Sequence, residues 1–151
     1  MEEASVLSRL QRLCSRAEYC RSDIYRKALK ALDQDWEAAS RVVDALVRDR
    51  FVDDVRYASA FAREKASLQG WGPAKIRFML LGKGVDADAI AAALSDIDAG
   101  TASARLDKLV AAKYRALEGD PQWRLKLLKY AFARGYSYEE TEAAIARSIS
   151  D

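Results

Sequence analysis

Two turns in this sequence follow one pattern and constrain what the chain can fold into. Lys83-Gly84-Val85 forms the first turn, and Arg134-Gly135-Tyr136 forms the second, 51 residues later. The positions six, nine and ten residues after each glycine also match: Ile90, Ala93 and Leu94 in one copy, Thr141, Ala144 and Ile145 in the other. A period near 50 residues predicts an array of helical units that bury their apolar faces against one another.

A weaker copy of the pattern lies upstream at an offset of 48 residues. Val42, Ala45 and Leu46 match the apolar positions, but Trp36 stands where the turn glycine would fall. We therefore predict three units of three helices, with boundaries at 1–50, 51–97 and 98–151. The alternative is that helix–glycine–helix joints resemble one another by chance.

Start and stop signals predict the individual helices. Asp53, Asp86 and Asp120 precede apolar runs of helical spacing, and Ser137 with Glu140 three residues later forms a capping box. No convincing period-two strand pattern interrupts these runs, which predicts an all-α fold. The expected helices lie near 4–16, 20–32, 36–49, 54–68, 73–82, 87–96, 101–117, 122–134 and 138–149.

Composition excludes several classes of protein. The chain has 151 residues, a net charge of +2, two cysteines and no histidine. Without histidine there is no Ser–His–Asp triad, no Cys–His pair and no histidine zinc site, and two cysteines cannot complete a cysteine-only one. Gly70-x-Gly72 is too short for a phosphate-binding loop. We expect no cofactor, no bound metal and no enzyme activity.

The net charge is also evenly distributed along the chain. Residues 1–50 carry 10 basic and 9 acidic side chains, residues 51–100 carry 6 and 7, and residues 101–151 carry 9 and 7. Any basic surface must therefore arise from placement on one face. With neither an export signal nor a run of 18 apolar residues in the sequence, we expect a cytoplasmic protein that does not enter a membrane.

The most specific stretch lies between residues 50 and 94. It contains Phe51-Val-Asp-Asp-Val-Arg-Tyr-Ala58, then Gly70-Trp71-Gly72-Pro73-Ala74-Lys75-Ile76, then the Lys83 turn. Cys14-Ser15-Arg16-x-Glu18 and the Arg134 turn flank it. In this order the motifs resemble the RecX regulatory protein family.

That resemblance implies a fold and a function. It implies three tandem three-helix repeats in an elongated, curved array, and a monomer that binds RecA and lies along the groove of the RecA–single-stranded-DNA filament. It also implies inhibition of the recombinase, ATPase and co-protease activities of RecA, and so modulation of recombination, DNA repair and the SOS response. Weak binding to bare DNA is a further expectation.

Contact with a nucleoprotein filament requires cations. Cations in successive repeats could form a stripe along one concave surface, with glycines shaping the turns beside them. Each of these cations can also have a structural role instead of a contact role. A cation can complement a helix dipole or lie on a solvated face, and Arg56 can pair with an acid of a neighbouring unit. The candidate contacts are Arg56, Lys65, Lys75, Arg77, Lys83, Lys108, Lys113, Lys126, Lys129 and Arg134, and the turn glycines are Gly72, Gly84 and Gly135.

Aromatic residues add a second set of hypotheses. Trp71 lies between two glycines, where it could stack on a base or plug a joint between helices. The simplest role of Trp36, Tyr57, Phe61, Trp123 and Phe132 is in the core. Helix–turn–helix geometry at 73–96 leaves open a second function, a DNA-binding module that acts directly on DNA with sequence-dependent affinity.

Overall fold

The computed structural model describes residues 1–149. The regular secondary structure of this part of the chain is entirely α-helical. It contains nine α-helices and no strand, which confirms the predicted fold class. They are α1 (Glu3–Cys14), α2 (Arg21–Ala31), α3 (Trp36–Arg48), α4 (Asp54–Leu68), α5 (Pro73–Gly82), α6 (Ala87–Ser95), α7 (Ala99–Ala116), α8 (Trp123–Ala133) and α9 (Tyr138–Ser148).

The helix starts follow the capping signals. Asp53 Oδ1 accepts from the amides of Val55 and Arg56 at 3.0 and 3.2 Å. Ser137 and Glu140 form the reciprocal capping box. α7 begins two residues before its expected start because Asp98 accepts from the Gly100 amide at 3.2 Å.

The chain folds into two compact units, whose boundaries fall inside α4, α5 and α6. Unit 1 comprises Met1–Ala60 and Leu80–Ala93, and unit 2 comprises Phe61–Met79 and the chain from Leu94 onward. A compact unit is defined by which residues pack together, whereas a repeat is defined by similarity between segments of the sequence. The two compact units therefore do not test the division into repeats at 1–50, 51–97 and 98–151, which stays a prediction.

The core of unit 1 forms where α1 and α2 pack against α3. Buried residues on α3 recur at helical spacing, so that one face of this helix meets both partners. This core contains Val6, Leu10, Ile24, Ala28, Leu32, Ala38, Ala39, Val42, Val43, Leu46 and Val52.

The core of unit 2 is built from α7, α8 and α9. Thr141 is the polar residue buried here, and its hydroxyl donates to the Ser137 carbonyl at 2.8 Å, which satisfies the group. The apolar members are Leu106, Val110, Leu127, Ala131, Tyr136, Ala144 and Ile145.

The turns after α5 and α8 are equivalent in structure as well as in sequence. The Val85 amide donates to the Leu80 carbonyl at 3.2 Å, and the Tyr136 amide donates to the Ala131 carbonyl at 3.1 Å. Both bonds span five residues, as in a Schellman turn. The preceding glycines have φ of +77° and +96°, a region that side chains disfavour.

The corresponding turn after α2 uses other residues. Gln34 takes a φ of +69°, and its amide donates to the Leu29 carbonyl at 2.8 Å. Asp33 also has a positive φ, of 53°. The turn is thus made without glycine, which explains why the sequence copy is weakest here.

Within unit 2, the backbones at Gly72 and Gly135 come into direct contact. The Gly72 amide donates to the Arg134 carbonyl at 2.6 Å, and the Ala74 amide donates to the Gly135 carbonyl at 3.1 Å. A Cβ on Gly72 would collide with the Gly135 carbonyl, and one on Gly135 would lie 2.5 Å from Lys75 Cβ. This contact, the Gly72–Gly135 junction, requires both residues to be glycine.

Two aromatic residues expected in the core lie on the surface. Trp36 is 64% exposed and Phe132 is 60% exposed, so those two expectations are wrong. Phe132 stacks on Tyr138, with ring centroids 5.2 Å apart. Tyr57, Phe61 and Trp123 are half-buried.

Among the helices of residues 1–149, each is too short or too polar to cross a bilayer.

The turn glycines provide a first prediction. Gly84→Ala should cost about 1–2 kcal/mol of unfolding free energy, because nothing lies within 4 Å of the new Cβ and only the left-handed backbone is strained. Gly135→Ala should cost about 1–3 kcal/mol more, because its Cβ also collides with Lys75. Urea unfolding followed by circular dichroism measures both losses. Equal losses would contradict the close contact at Gly135.

Candidate nucleic-acid interface

Two of the ten candidate cations make structural ion pairs in unit 1. Arg56 Nε donates to Glu18 Oε2 at 2.5 Å, and Arg56 Nη2 donates to the carbonyls of Arg50 and Phe51 at 3.1 and 3.3 Å. Arg56 thus ties the start of α4 to the segments before it. The hydrogen bond that Arg56 donates to Glu18 raises the pKa of Arg56 above its usual value.

Lys83 is the second cation with a structural partner. Its Nζ lies 3.0 Å from Asp23 Oδ2, and its carbonyl accepts from the Ser22 hydroxyl at 2.6 Å. Burial acts to raise the pKa of Asp23, but hydrogen bonds from Lys83, Cys20 and Arg26 outweigh it and lower that pKa. These bonds fasten the turn after α5 to the start of α2.

In unit 2, two candidate cations lie over Trp71. Lys75 Nζ is 4.4 Å from the centroid of the Trp71 ring, and Lys65 Nζ is 5.1 Å from it. Phe61 meets the same ring edge-on, with centroids 6.1 Å apart. Trp71 is half-buried, and its ring orients two ammonium groups.

Two further candidate cations lie over Tyr130, also in unit 2. Arg134 Cζ is 4.0 Å from the ring centroid, and Lys113 Nζ is 4.5 Å from it. Arg134 and Lys83 occupy equivalent turns, yet one faces an aromatic ring and the other a carboxylate. An arginine held by a ring keeps its N–H groups available for an anionic ligand.

The Gly72–Gly135 junction joins these two clusters. Arg134 and Gly135 accept hydrogen bonds from Gly72 and Ala74, which lie between Trp71 and Lys75 in the sequence. The Tyr136 hydroxyl adds a bond to the Gly70 carbonyl at 3.2 Å. We call the combined feature the cation–aromatic surface; it consists of Lys65, Trp71, Lys75, Lys113, Tyr130 and Arg134.

The remaining candidates lie outside that surface. Lys126 Nζ pairs with Asp120 Oδ2 at 2.5 Å, where it lowers the pKa of this carboxyl. Arg77, Lys108 and Lys129 are exposed and make no ion pair within residues 1–149. The structure therefore brings together four of the ten cations.

Sequence analysis missed Tyr130 as part of the site. One available signal was its position four residues before Arg134, which places both side chains on one face of a helix and its end. The pairing with Lys113 carried no local signal, since it depends on how α7 packs against α8.

Comparison with known proteins identifies the family. Residues 53–94 match the family model for the second three-helix domain of RecX. A regulatory protein RecX from Clostridium botulinum (strain Eklund 17B / Type B) is 30% identical over 126 residues, which cover 81% of this chain and 58% of that protein. One from Xanthomonas campestris pv. campestris (strain B100) is 34% identical over 106 residues, covering 70% and 64%.

The chain belongs to the RecX family. It spans about three fifths of the length of these curated RecX relatives. The crystal structure of a regulatory protein RecX superimposes on this chain with a TM-score of 0.85 at 25% sequence identity, and the match covers 95% of this chain and 71% of that one. RecX from Lactobacillus salivarius shares the fold at a TM-score of 0.78 and 19% identity, covering 96% and 97%.

The Lys83–Asp23 pair gives this RecX chain a defined response to acid. Because the pKa of Asp23 is lowered in the folded state, its stabilising effect is complete above its ordinary value of about 4. The effect is lost as the pH falls through the lowered value. Lys83→Met should lower the melting temperature by about 2–4 °C at pH 7, for a loss of about 1 kcal/mol.

Melting curves at pH 7 and pH 2 test this response. The gap in melting temperature between wild type and Lys83→Met should narrow at pH 2, which lies far below the ordinary pKa of Asp23, because a protonated carboxyl no longer attracts the ammonium. Lys30→Met is the control, since Lys30 is exposed and makes no ion pair in the described chain. A gap of the same size at both pH values would show that the pair contributes nothing through charge.

Proposed function

We propose that this protein is a RecX regulator that binds RecA and the RecA–single-stranded-DNA filament. In this role it inhibits the recombinase, ATPase and co-protease activities of RecA, and it thereby modulates recombination, DNA repair and the SOS response. The observation that supports the proposal is the cation–aromatic surface of unit 2, in a chain of the RecX family.

The chemistry of that surface suits a nucleoprotein partner. Ammonium and guanidinium groups attract phosphates and acidic side chains, and aromatic rings beneath them supply flat apolar area. Because Trp71 and Tyr130 fix these cations in place, less side-chain entropy is lost when a partner binds. Arg134 and Lys75 also meet at a rigid backbone junction, which holds the two clusters in one geometry.

The proposed action is binding without catalysis, by a monomer in the cytoplasm, with weak affinity for bare DNA. Curated relatives carry the name of a regulatory protein, which supports a regulatory role. Within this role, Arg56 and Lys83 shape unit 1, while the contacts come from the four cations of the cation–aromatic surface.

The direct experiment adds the purified protein to preformed RecA filaments on single-stranded DNA and follows ATP hydrolysis. Inhibition at concentrations well below that of RecA is the expected result. No effect on hydrolysis, together with tight, sequence-dependent binding to duplex DNA, would reject the proposal in favour of a helix–turn–helix DNA-binding module.

A matched pair of variants tests the surface. Lys75→Gln with Arg134→Gln should raise the concentration for half-inhibition at least about fivefold, since loss of a charged contact typically costs about 1 kcal/mol or more. Arg63→Gln with Arg115→Gln removes the same charge from exposed positions of unit 2, and it should change that concentration less than about twofold. Equal effects of the two variants would reject the cation–aromatic surface as the contact.

A further inference from the structure

Unit 1 contains a groove between α1 and α2 that is lined by five basic residues. Its volume is about 600 Å³, and its walls and floor contain no acidic side chain among the described residues that line it. The candidate contacts predicted from sequence include none of these five. The lining consists of Arg9, Arg12, Arg16, Lys27 and Lys30, with Leu10, Leu13 and Ala31.

Three acids of unit 1 are engaged by cations that do not line the groove. Glu3 pairs with Arg41 at 2.9 Å, Glu18 with Arg56 at 2.5 Å, and Asp23 with Lys83 at 3.0 Å. Within residues 1–149 none of the five groove cations forms an ion pair, although Arg9 donates to the Met1 sulfur at 3.6 Å. Their charge is therefore uncompensated, and all five side chains are exposed.

The cations form two rows on a rigid support. Arg9 and Arg12 lie three residues apart on α1, and Arg16 follows in the turn just after this helix ends at Cys14. Lys27 and Lys30 form a second row on α2, three residues apart. Both helices are fixed by core residues on their inner faces, so the rows are held in place before any ligand binds.

We propose that this α1–α2 groove binds the phosphate backbone of single-stranded DNA. The two sets of cations line one groove, so a single phosphate backbone lying in it would meet both. Arginine guanidiniums form paired hydrogen bonds to phosphate oxygens, which the lysine row opposite would supplement by charge. A positively charged groove that follows one backbone is the usual means of binding a single strand.

The floor of the groove argues against an acidic protein segment as the ligand. A protein partner needs anchor points such as large aromatic side chains, but none is among the described lining residues, and of the apolar ones Leu10 is 3% exposed while Leu13 and Ala31 are half-buried. A nucleic-acid backbone needs charge and room, and the groove supplies both.

This site does not depend on the proposed action on RecA. It lies in unit 1, the cation–aromatic surface lies in unit 2, and its ligand is tested without RecA. A variant that loses oligonucleotide binding and keeps inhibition of RecA would show that the groove and the cation–aromatic surface act separately. A variant that keeps oligonucleotide binding and loses inhibition would show the same.

The test measures the binding of fluorescein-labelled oligo(dT) by fluorescence anisotropy. If all five cations contact phosphates, the logarithm of the affinity should fall with the logarithm of salt concentration with a slope of about −3.5, at about −0.7 for each phosphate in a single strand. Arg12→Gln with Arg16→Gln should weaken binding at least about tenfold at low salt and reduce the slope by about 1.4.

Two comparisons make this result decisive. Arg63→Gln with Arg115→Gln carries the same charge change outside the groove and should weaken binding less than about threefold. Lys27→Gln with Lys30→Gln, on the opposite wall, should reproduce the groove defect with a native circular dichroism spectrum. Equal weakening by the groove and outside variants would overturn the proposal, as would competition by poly-glutamate as strong as that by unlabelled oligo(dT).

Discussion

The backbone contact between Gly72 and Gly135 leaves no room for a side chain on either residue, and much of unit 2 depends on it. Hydrogen bonds from Gly72 and Ala74 to the turn at Arg134 connect segments more than 60 residues apart in sequence. Trp71 and Lys75 lie on one side of this contact, and Arg134 lies on the other. The junction thus sets the positions of the cations that we assign to partner binding, although neither glycine contributes a functional group.

The distribution of charge over the surface of this protein depends on which side chains form ion pairs and cannot be deduced from composition. The chain as a whole has a net charge of +2, and residues 1–50 are almost neutral. In unit 1, however, the acids at positions 3, 18 and 23 neutralise cations on other faces. The groove between α1 and α2 is left with positive charge alone, which a count along the sequence cannot detect.

Local signals in the sequence were sufficient to predict the helices. All nine lie within a few residues of their expected positions, because caps such as Asp53 and Ser137 act on their nearest neighbours. At Gly84 and Gly135 the backbone is left-handed, a conformation that strongly favours glycine. Arg56 pairs with Glu18, an acid that belongs to the preceding predicted repeat.

The site was predicted less well because its contacts are tertiary. Lys113 meets Tyr130, and Lys75 meets Gly135, only after the helices have packed. Phe132 was wrongly placed in the core because α8 has apolar residues on all sides, so its pattern does not reveal a buried face. The basic groove was missed for a similar reason, since its two rows lie on different helices.

The positions of the three tryptophans give the protein built-in optical reporters. Trp36 is exposed on α3 of unit 1, whereas Trp71 lies beneath two lysines and Trp123 meets Tyr114 edge-on in unit 2. Their indole rings therefore sit in three different electrostatic and solvent environments, to which fluorescence emission is sensitive. Chains that retain a single tryptophan would report separately on each unit, and the Trp71 signal would follow the cations above it as they engage a ligand.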